Sequence, residues 1–170
     1  MSQNMFTRRL FLASSALGLA ACTAASAKDL SKNTETAGYA GDEWRQLSEA
    51  DWKARLSPAA YEVLREHGTE RPFSSPLDKE TRAGMYHCAG CDLALFSSEA
   101  KFDSGTGWPS FWEALPGAMG MSVDRRLFYP RDEYHCARCL GHQGHVFDDG
   151  PAPTGKRWCN NGVALTFKPA

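Results

Sequence analysis

Between Cys136 and Asn161 the chain gathers a Cys136-Ala-Arg-Cys139 turn, two histidines (His142, His145), two adjacent aspartates (Asp148, Asp149) and the run Arg157-Trp158-Cys159-Asn160-Asn161. Packing alone does not call for that concentration of reactive side chains. A thiol attacks as its thiolate, and nearby positive charge favours that form. Residues two apart on a strand share a face, so Arg157 and Asn161 would flank Cys159. The expectation is therefore a nucleophile at Cys159, ionised below the ordinary thiol value of about 8.5. The bland alternative is a cysteine that is only a small buried hydrophobe.

Cys88-Ala-Gly-Cys91 and Cys136-Ala-Arg-Cys139 form two CxxC pairs. Each such turn delivers two sulfurs to one side of an ion, and two turns close a tetrahedral site with no open position. That predicts one structural Zn2+ per chain, held by Cys88, Cys91, Cys136 and Cys139 and stapling two hairpins together. The competing reading is a pair of disulfides, which an oxidising compartment favours. His87 and His135 adjoin these cysteines and read as outward-facing neighbours, with ligand exchange the alternative.

The elements that must position these groups are short. Ser48-Glu49-Ala50-Asp51 has capping-box spacing, with Trp52 and Leu56 at helical separation, so a helix is predicted over 48–56. Ser57-Pro58 starts a second, with Tyr61 and Leu64 on one face and Gly68 ending it. From Phe73 onward the pattern changes to strands, predicted over 84–88, 93–96, 120–123, 127–129, 133–136, 145–147, 157–160 and 164–168. Pro116-Gly117, Asp124-Arg125-Arg126 and Asp149-Gly150-Pro151 mark turns. The fold class expected is mainly β within α+β: an antiparallel core of two small sheets with N-terminal helices and the four-cysteine zinc site.

The 170 residues allow one domain with a core of its own. The chain carries 19 basic against 20 acidic residues, and two of the basic ones, Arg8 and Arg9, fall in the leader. Such a balance offers little to a phosphate backbone, so no nucleic-acid partner is expected. Residues 1–27 read as an export signal: Thr7-Arg8-Arg9-Leu10-Phe11-Leu12 is a twin-arginine pattern, followed by an apolar run over 10–21 and the small-residue end Ala25-Ser26-Ala27. The run is shorter than the roughly 20 residues a bilayer span needs. Cleavage after Ala27 would give a soluble periplasmic protein. Leu19-Ala20-Ala21-Cys22 resembles a lipobox, whose use would leave a lipid anchor on Cys22. Residues 28–42 read as a polar linker and 43–170 as the domain.

Gly105-Thr106-Gly107-Trp108-Pro109-Ser110-Phe111, the run from His142 to Pro151, and Arg157-Trp158-Cys159-Asn160-Asn161-Gly162 resemble successive signature blocks of the peptide-methionine (R)-S-oxide reductases. The resemblance extends through Gly68-Thr69-Glu70-Arg71-Pro72-Phe73 and Lys101-Phe102-Asp103-Ser104 and covers Trp44 to Phe167. It implies reduction of methionine R-sulfoxide in peptides and proteins. Cys159 would be the nucleophile, Trp108 the wall against the substrate methyl with Phe111 beside it, and His142 and His145 the active-site histidines. Asp149, Arg157 and Asn161 would be polar residues of the same pocket. The four zinc cysteines match the metal-bearing branch.

A sulfoxide needs an apolar wall for its methyl, a thiolate in line with its sulfur and an acid for its oxygen. His145 is the first candidate for that acid and His142 the second, since imidazoles donate near neutral pH; Asp149 would orient an imidazole or Arg157. Taken alone, Trp108 reads equally as a core residue, the aspartates as turn caps and His67 as a helix C-terminal charge. Many relatives carry a resolving cysteine where Thr106 stands, so the product sulfenic acid would be reduced by an external thiol such as a thioredoxin-like protein, or by Cys22. Two other classes compete: a non-catalytic zinc-ribbon module and a thiol-disulfide oxidoreductase built on a CxxC pair.

Overall fold

A computed structural model describes residues 36–127 and 129–170 of the chain. The proposed leader, Cys22 and most of the linker lie outside the described residues. Helix α1 (Glu49–Arg55) starts as its capping box requires: Ser48 Oγ accepts from the Asp51 amide and Asp51 Oδ2 accepts from the Ser48 amide. Helix α2 (Pro58–Glu66) has proline in its first turn and buries Ala60, Val63 and Leu64. Its C-cap is His67 rather than a glycine, in the left-handed conformation at φ 56°.

Nine strands follow among the described residues: β1 (Gly84–Cys88), β2 (Ala94–Ser97), β3 (Lys101–Phe102), β4 (Ser110–Phe111), β5 (Met119–Asp124), β6 (Arg131–Cys136), β7 (His142–Phe147), β8 (Arg157–Asn160) and β9 (Leu165–Pro169). They form two antiparallel sheets, one of three strands in the order β2-β1-β9 and one of six in the order β3-β4-β8-β7-β6-β5. Expected and observed architecture agree: a mainly β, α+β domain of two sheets with the helices N-terminal.

The sheets share an aromatic core. Phe96 stacks on Phe111 with ring centroids 4.1 Å apart, and Tyr86 meets Phe111 edge-on at 4.9 Å. Tyr134 packs edge-on against Trp158 at 4.9 Å. Each fully buried ring of this kind contributes about 2–3 kcal/mol of apolar burial. Tyr134 also donates its hydroxyl to Asn160 Oδ1 at 2.9 Å, which ties β6 to the end of β8.

Two expectations about strands need correcting. Leu127 and Tyr129, assigned to a strand, lie instead in the connection between β5 and β6, where they are 48% and 61% exposed. The β5–β6 ladder ends at the Asp124–Arg131 pair, closed by a 2.6 Å ion pair, and Pro130 has no N–H to extend it. Conversely, β3 and β4 were not anticipated. Two residues each, set in a glycine- and serine-rich stretch, are too short to show a period of two.

Candidate functional site

The two CxxC turns have the same construction. After β1 the Asp92 amide donates to the Cys88 carbonyl, and after β6 the Leu140 amide donates to the Cys136 carbonyl. Asp92 and Leu140 both take positive φ, 62° and 61°. The turns face each other, so that Cys88 Sγ lies 3.6 Å from Cys139 Sγ and Cys91 Sγ lies 3.5 Å from Cys136 Sγ. All four sulfurs fall within 4.8 Å of one another and all four residues are buried. A tetrahedral ion with Zn–S bonds of about 2.3 Å would set its sulfurs roughly 3.8 Å apart, and a disulfide would need about 2 Å. The geometry therefore fits a metal ion and not two disulfides. Glycine keeps the surroundings tight: a Cβ on Gly141 would stand 2.9 Å from Leu64 and 3.3 Å from Cys139 Sγ. Neither His87 nor His135 joins the quartet; His87 bonds the Asp92 carbonyl instead.

Cys159 sits in the six-stranded sheet on β8, directly opposite His145 on β7 and Ser110 on β4. Glu133 on β6 is the next partner of His145. The β6–β7 register shifts between Tyr134 and His135, and such a bulge re-aims neighbouring side chains. His142 and His145 consequently lie with ring centroids 5.5 Å apart.

Cys159 opens into a cavity of about 270 Å³. Trp108 and Phe147 supply its apolar surface, and Thr69, Thr106, Arg131, His145, Arg157 and Asn161 its polar surface. Arg157 donates to both oxygens of Asp149, at 2.8 and 2.9 Å, and lies 4.4 Å over the Phe147 ring. This clamp holds the guanidinium beside the sulfur.

The charge state of Cys159 departs from expectation. Burial pushes the thiol above its ordinary value, and the Arg157 charge and hydrogen bonds from Thr106 and Arg157 offset this only in part, with Asp149 opposing them. The predicted low-pKa thiol is thus overruled by desolvation, which no pattern of neighbours in the sequence displays.

His145 Nε2 pairs with Asp124 Oδ2 at 2.9 Å. Asp124 is also held by the Arg126 amide and by Arg131, and these contacts with His145 keep its carboxyl well below the usual range despite burial. A carboxylate only accepts, so Nε2 carries the hydrogen and Nδ1 is left to exchange a proton. Burial lowers the imidazole below its ordinary value, with the Asp124 bond working against that shift.

A SelR domain profile matches residues 56–169. The chain belongs to the SelR family. It is 52% identical to "Peptide methionine sulfoxide reductase MsrB" of Agrobacterium fabrum over 72% of this chain and 91% of that protein. It is 53% identical to the protein of the same description from Pseudomonas entomophila, over 70% and 92% of the two chains. The "Methionine-R-sulfoxide reductase B2, mitochondrial" of Rattus norvegicus is 52% identical over 73% and 76%. These are the peptide-methionine (R)-S-oxide reductases that the signature blocks resemble.

Within the SelR domain, the structure brings Cys159, His145, Arg157, Asn161 and Trp108 around one cavity, with Asp149 outside it holding Arg157. Two expected site residues lie elsewhere. Phe111 is fully buried and stacked on Phe96; pairing with β8 turns it to the core side, and it does not line the cavity. His142 is 1% exposed and lies behind His145, bonded through Nδ1 to Glu133 Oε1 at 2.6 Å. It does not line the cavity.

Asn161 has both ends of its amide engaged, accepting from the Glu70 amide at 3.0 Å and donating to the Gln143 carbonyl at 2.9 Å. It braces the site. Glu70 was overlooked as a site residue although its block was noticed. Its carbonyl accepts from Trp108 Nε1 at 3.2 Å, while its carboxylate accepts from the amides of Gly162 and Val163. Asp124 and Glu133 were also missed, because the sequence does not reveal which carboxylates reach a histidine from other strands.

Proposed function

We propose that this SelR protein reduces methionine R-sulfoxide in peptides and proteins, with Cys159 as the nucleophile. The observation that carries the reading is the cavity in which Cys159 faces His145 across one strand pair, with Trp108 forming the apolar wall. The cavity has room for one side chain. The substrate methyl would rest on the Trp108 indole and the sulfoxide sulfur would meet Cys159.

The raised thiol and the lowered imidazole leave the resting pair neutral, so the proton moves only as the thiol attacks. His145 takes the proton from Cys159 at Nδ1 and returns it to the sulfoxide oxygen, so that one group serves as base and then acid. Cys159 sulfur bonds to the substrate sulfur; the protonated oxygen then passes to the Cys159 sulfur as the substrate S–O bond and the new S–S bond both break, leaving methionine and a sulfenic acid on Cys159. The substrate sulfur gains two electrons, Cys159 loses two, and no net proton is consumed. Arg157 stabilises the thiolate while it lasts. An external thiol then forms a disulfide with Cys159 and releases water, and a second thiol frees the enzyme. The buried quartet cysteines, at most 2% exposed, and Thr106 in the cavity wall support recycling by an outside, thioredoxin-like reductant.

We read the quartet ion as structural Zn2+, one per chain; its donor set and spacing support this. The twin arginines and apolar run of residues 1–27 support export to the periplasm, either with cleavage after Ala27 or with a lipid anchor on Cys22. The test of the function is a Cys159→Ser protein assayed on separated sulfoxide epimers. Reduction of the R epimer should fall on the order of 10³-fold or more, with the metal retained. Full activity in that variant would reject the nucleophile.

A further inference from the structure

We propose that His67, Glu133 and His142 form a second metal site, for a divalent transition ion, distinct from the cysteine quartet. Glu133 Oε1 lies 2.6 Å from Nδ1 of His67 and 2.6 Å from Nδ1 of His142. The three ligand atoms fall within 4.8 Å of one another. Two imidazole nitrogens and a carboxylate oxygen are the donor set that Zn2+, Co2+, Ni2+ and Cu2+ accept, and magnesium or calcium would prefer oxygens alone.

Each ligand is held by a different element. Glu133 comes from β6, His142 from the bulged start of β7 and His67 from the C-cap of α2. The Arg126 guanidinium donates to the His67 carbonyl at 3.1 Å and fixes that cap from the opposite loop. The site is a pit with an open mouth: the side chains of His142 and Glu133 are 2% and 10% exposed, that of His67 is 40% exposed. An ion could enter past His67 and keep solvent as its remaining ligand.

Binding would need both Nδ1 atoms bare, so each imidazole would carry its hydrogen on Nε2 instead of sharing it with Oε1. The ligand atoms must also spread from hydrogen-bond contact to the roughly 3.4 Å separation set by metal–ligand bonds of about 2.1 Å. An ion there would grip the strand that carries His145, whose ring lies 5.5 Å from that of His142. If the reductase reading holds, it would therefore slow the reaction.

The test is a Co2+ titration of the full chain, quartet loaded with zinc, in which Cys22→Ser and Cys159→Ser remove the other thiols. The expected result is one further equivalent with visible d–d absorption and no thiolate charge-transfer band. It should vanish in His67→Asn, which keeps a residue tolerant of the left-handed cap, and in Glu133→Gln. No further equivalent, or an unchanged one in both folded variants, overturns the site. Histidine ¹⁵N spectra of the same unvaried background under Zn2+ give the answer independently of these variants: shifts at His67 and His142 support the site, and their absence sinks it. Zn2+ should also inhibit R-sulfoxide reduction by the wild-type chain and spare His67→Asn. A chain with no reductase activity at all would defeat the proposed function while leaving the cobalt result intact.

Discussion

His145 and Cys159 are direct partners across the β7–β8 ladder, flanked in the same register by Glu133 and Ser110. Side chains directly opposite on an antiparallel pair have Cβ atoms about 4.5–5.5 Å apart. The nucleophile and its proton carrier are therefore set by backbone hydrogen bonds, and loop closure is not needed to bring them together.

Asp124→Asn should lower kcat about 10- to 100-fold with a smaller change in KM, since Asp124 holds the proton-transfer partner and does not itself line the cavity. The sign of the pH effect is fixed. Asp124 holds the His145 imidazole up against its burial, so removing the charge moves the acidic limb of the pH–rate profile to lower pH. Steady-state rates from about pH 5 to 9 on both proteins check this, a range that spans the ordinary imidazole value; an unshifted limb would remove His145 from that role.

Burial holds the Cys159 thiol above its ordinary value, so the thiolate fraction should keep growing as pH rises past about 8.5. Alkylation of Cys159 by iodoacetamide, followed by mass spectrometry, should show no plateau below that pH. Arg157→Met removes the largest influence working against burial and should move the midpoint further up. A plateau near neutrality would mean that the free thiol is ionised after all.

Trp108 serves through its ring and through its bond to the Glu70 carbonyl. Trp108→Ala should raise KM about tenfold or more by removing apolar contact surface. Trp108→Phe keeps a ring but loses the hydrogen bond, worth about 1 kcal/mol, so roughly a fivefold change is expected. Equal effects from the two variants would deny the indole its role as wall.

Cys139→Ser leaves three sulfurs for a tetrahedral ion. If the quartet holds zinc as proposed, the variant should lose it during purification and unfold at a much lower temperature, because metal binding contributes directly to folding. Zinc content and a thermal melt measure both, and unchanged values would return the quartet to ordinary thiols.

The sequence displayed what depends on local spacing. The capping box at Ser48, the two CxxC turns and the alternation around Cys159 were each readable from a few neighbouring residues. Contacts made across strands left no such trace. Asp124 reaches His145 from β5, and Glu133 joins His142 to His67 from three separate elements. Phe111 stands off the cavity because its register with Trp158 turns it inward, which its block alone does not display. The thiol's charge state failed for the same reason, since depth of burial belongs to the assembled fold and not to the residues beside Cys159.

Gln143 touches both centres: its side-chain amide donates to Cys88 Sγ at 3.4 Å, and its carbonyl receives the backbone and side-chain amides of Asn161, each at 2.9 Å. An oxidant that reached the quartet would slacken the β6–β7 hairpin at its tip and pull away the brace on which the reacting strand rests. A repairer of oxidised sulfur thus has its own weakness in sulfur, and burial of those four atoms, none more than 2% exposed, is what shields it.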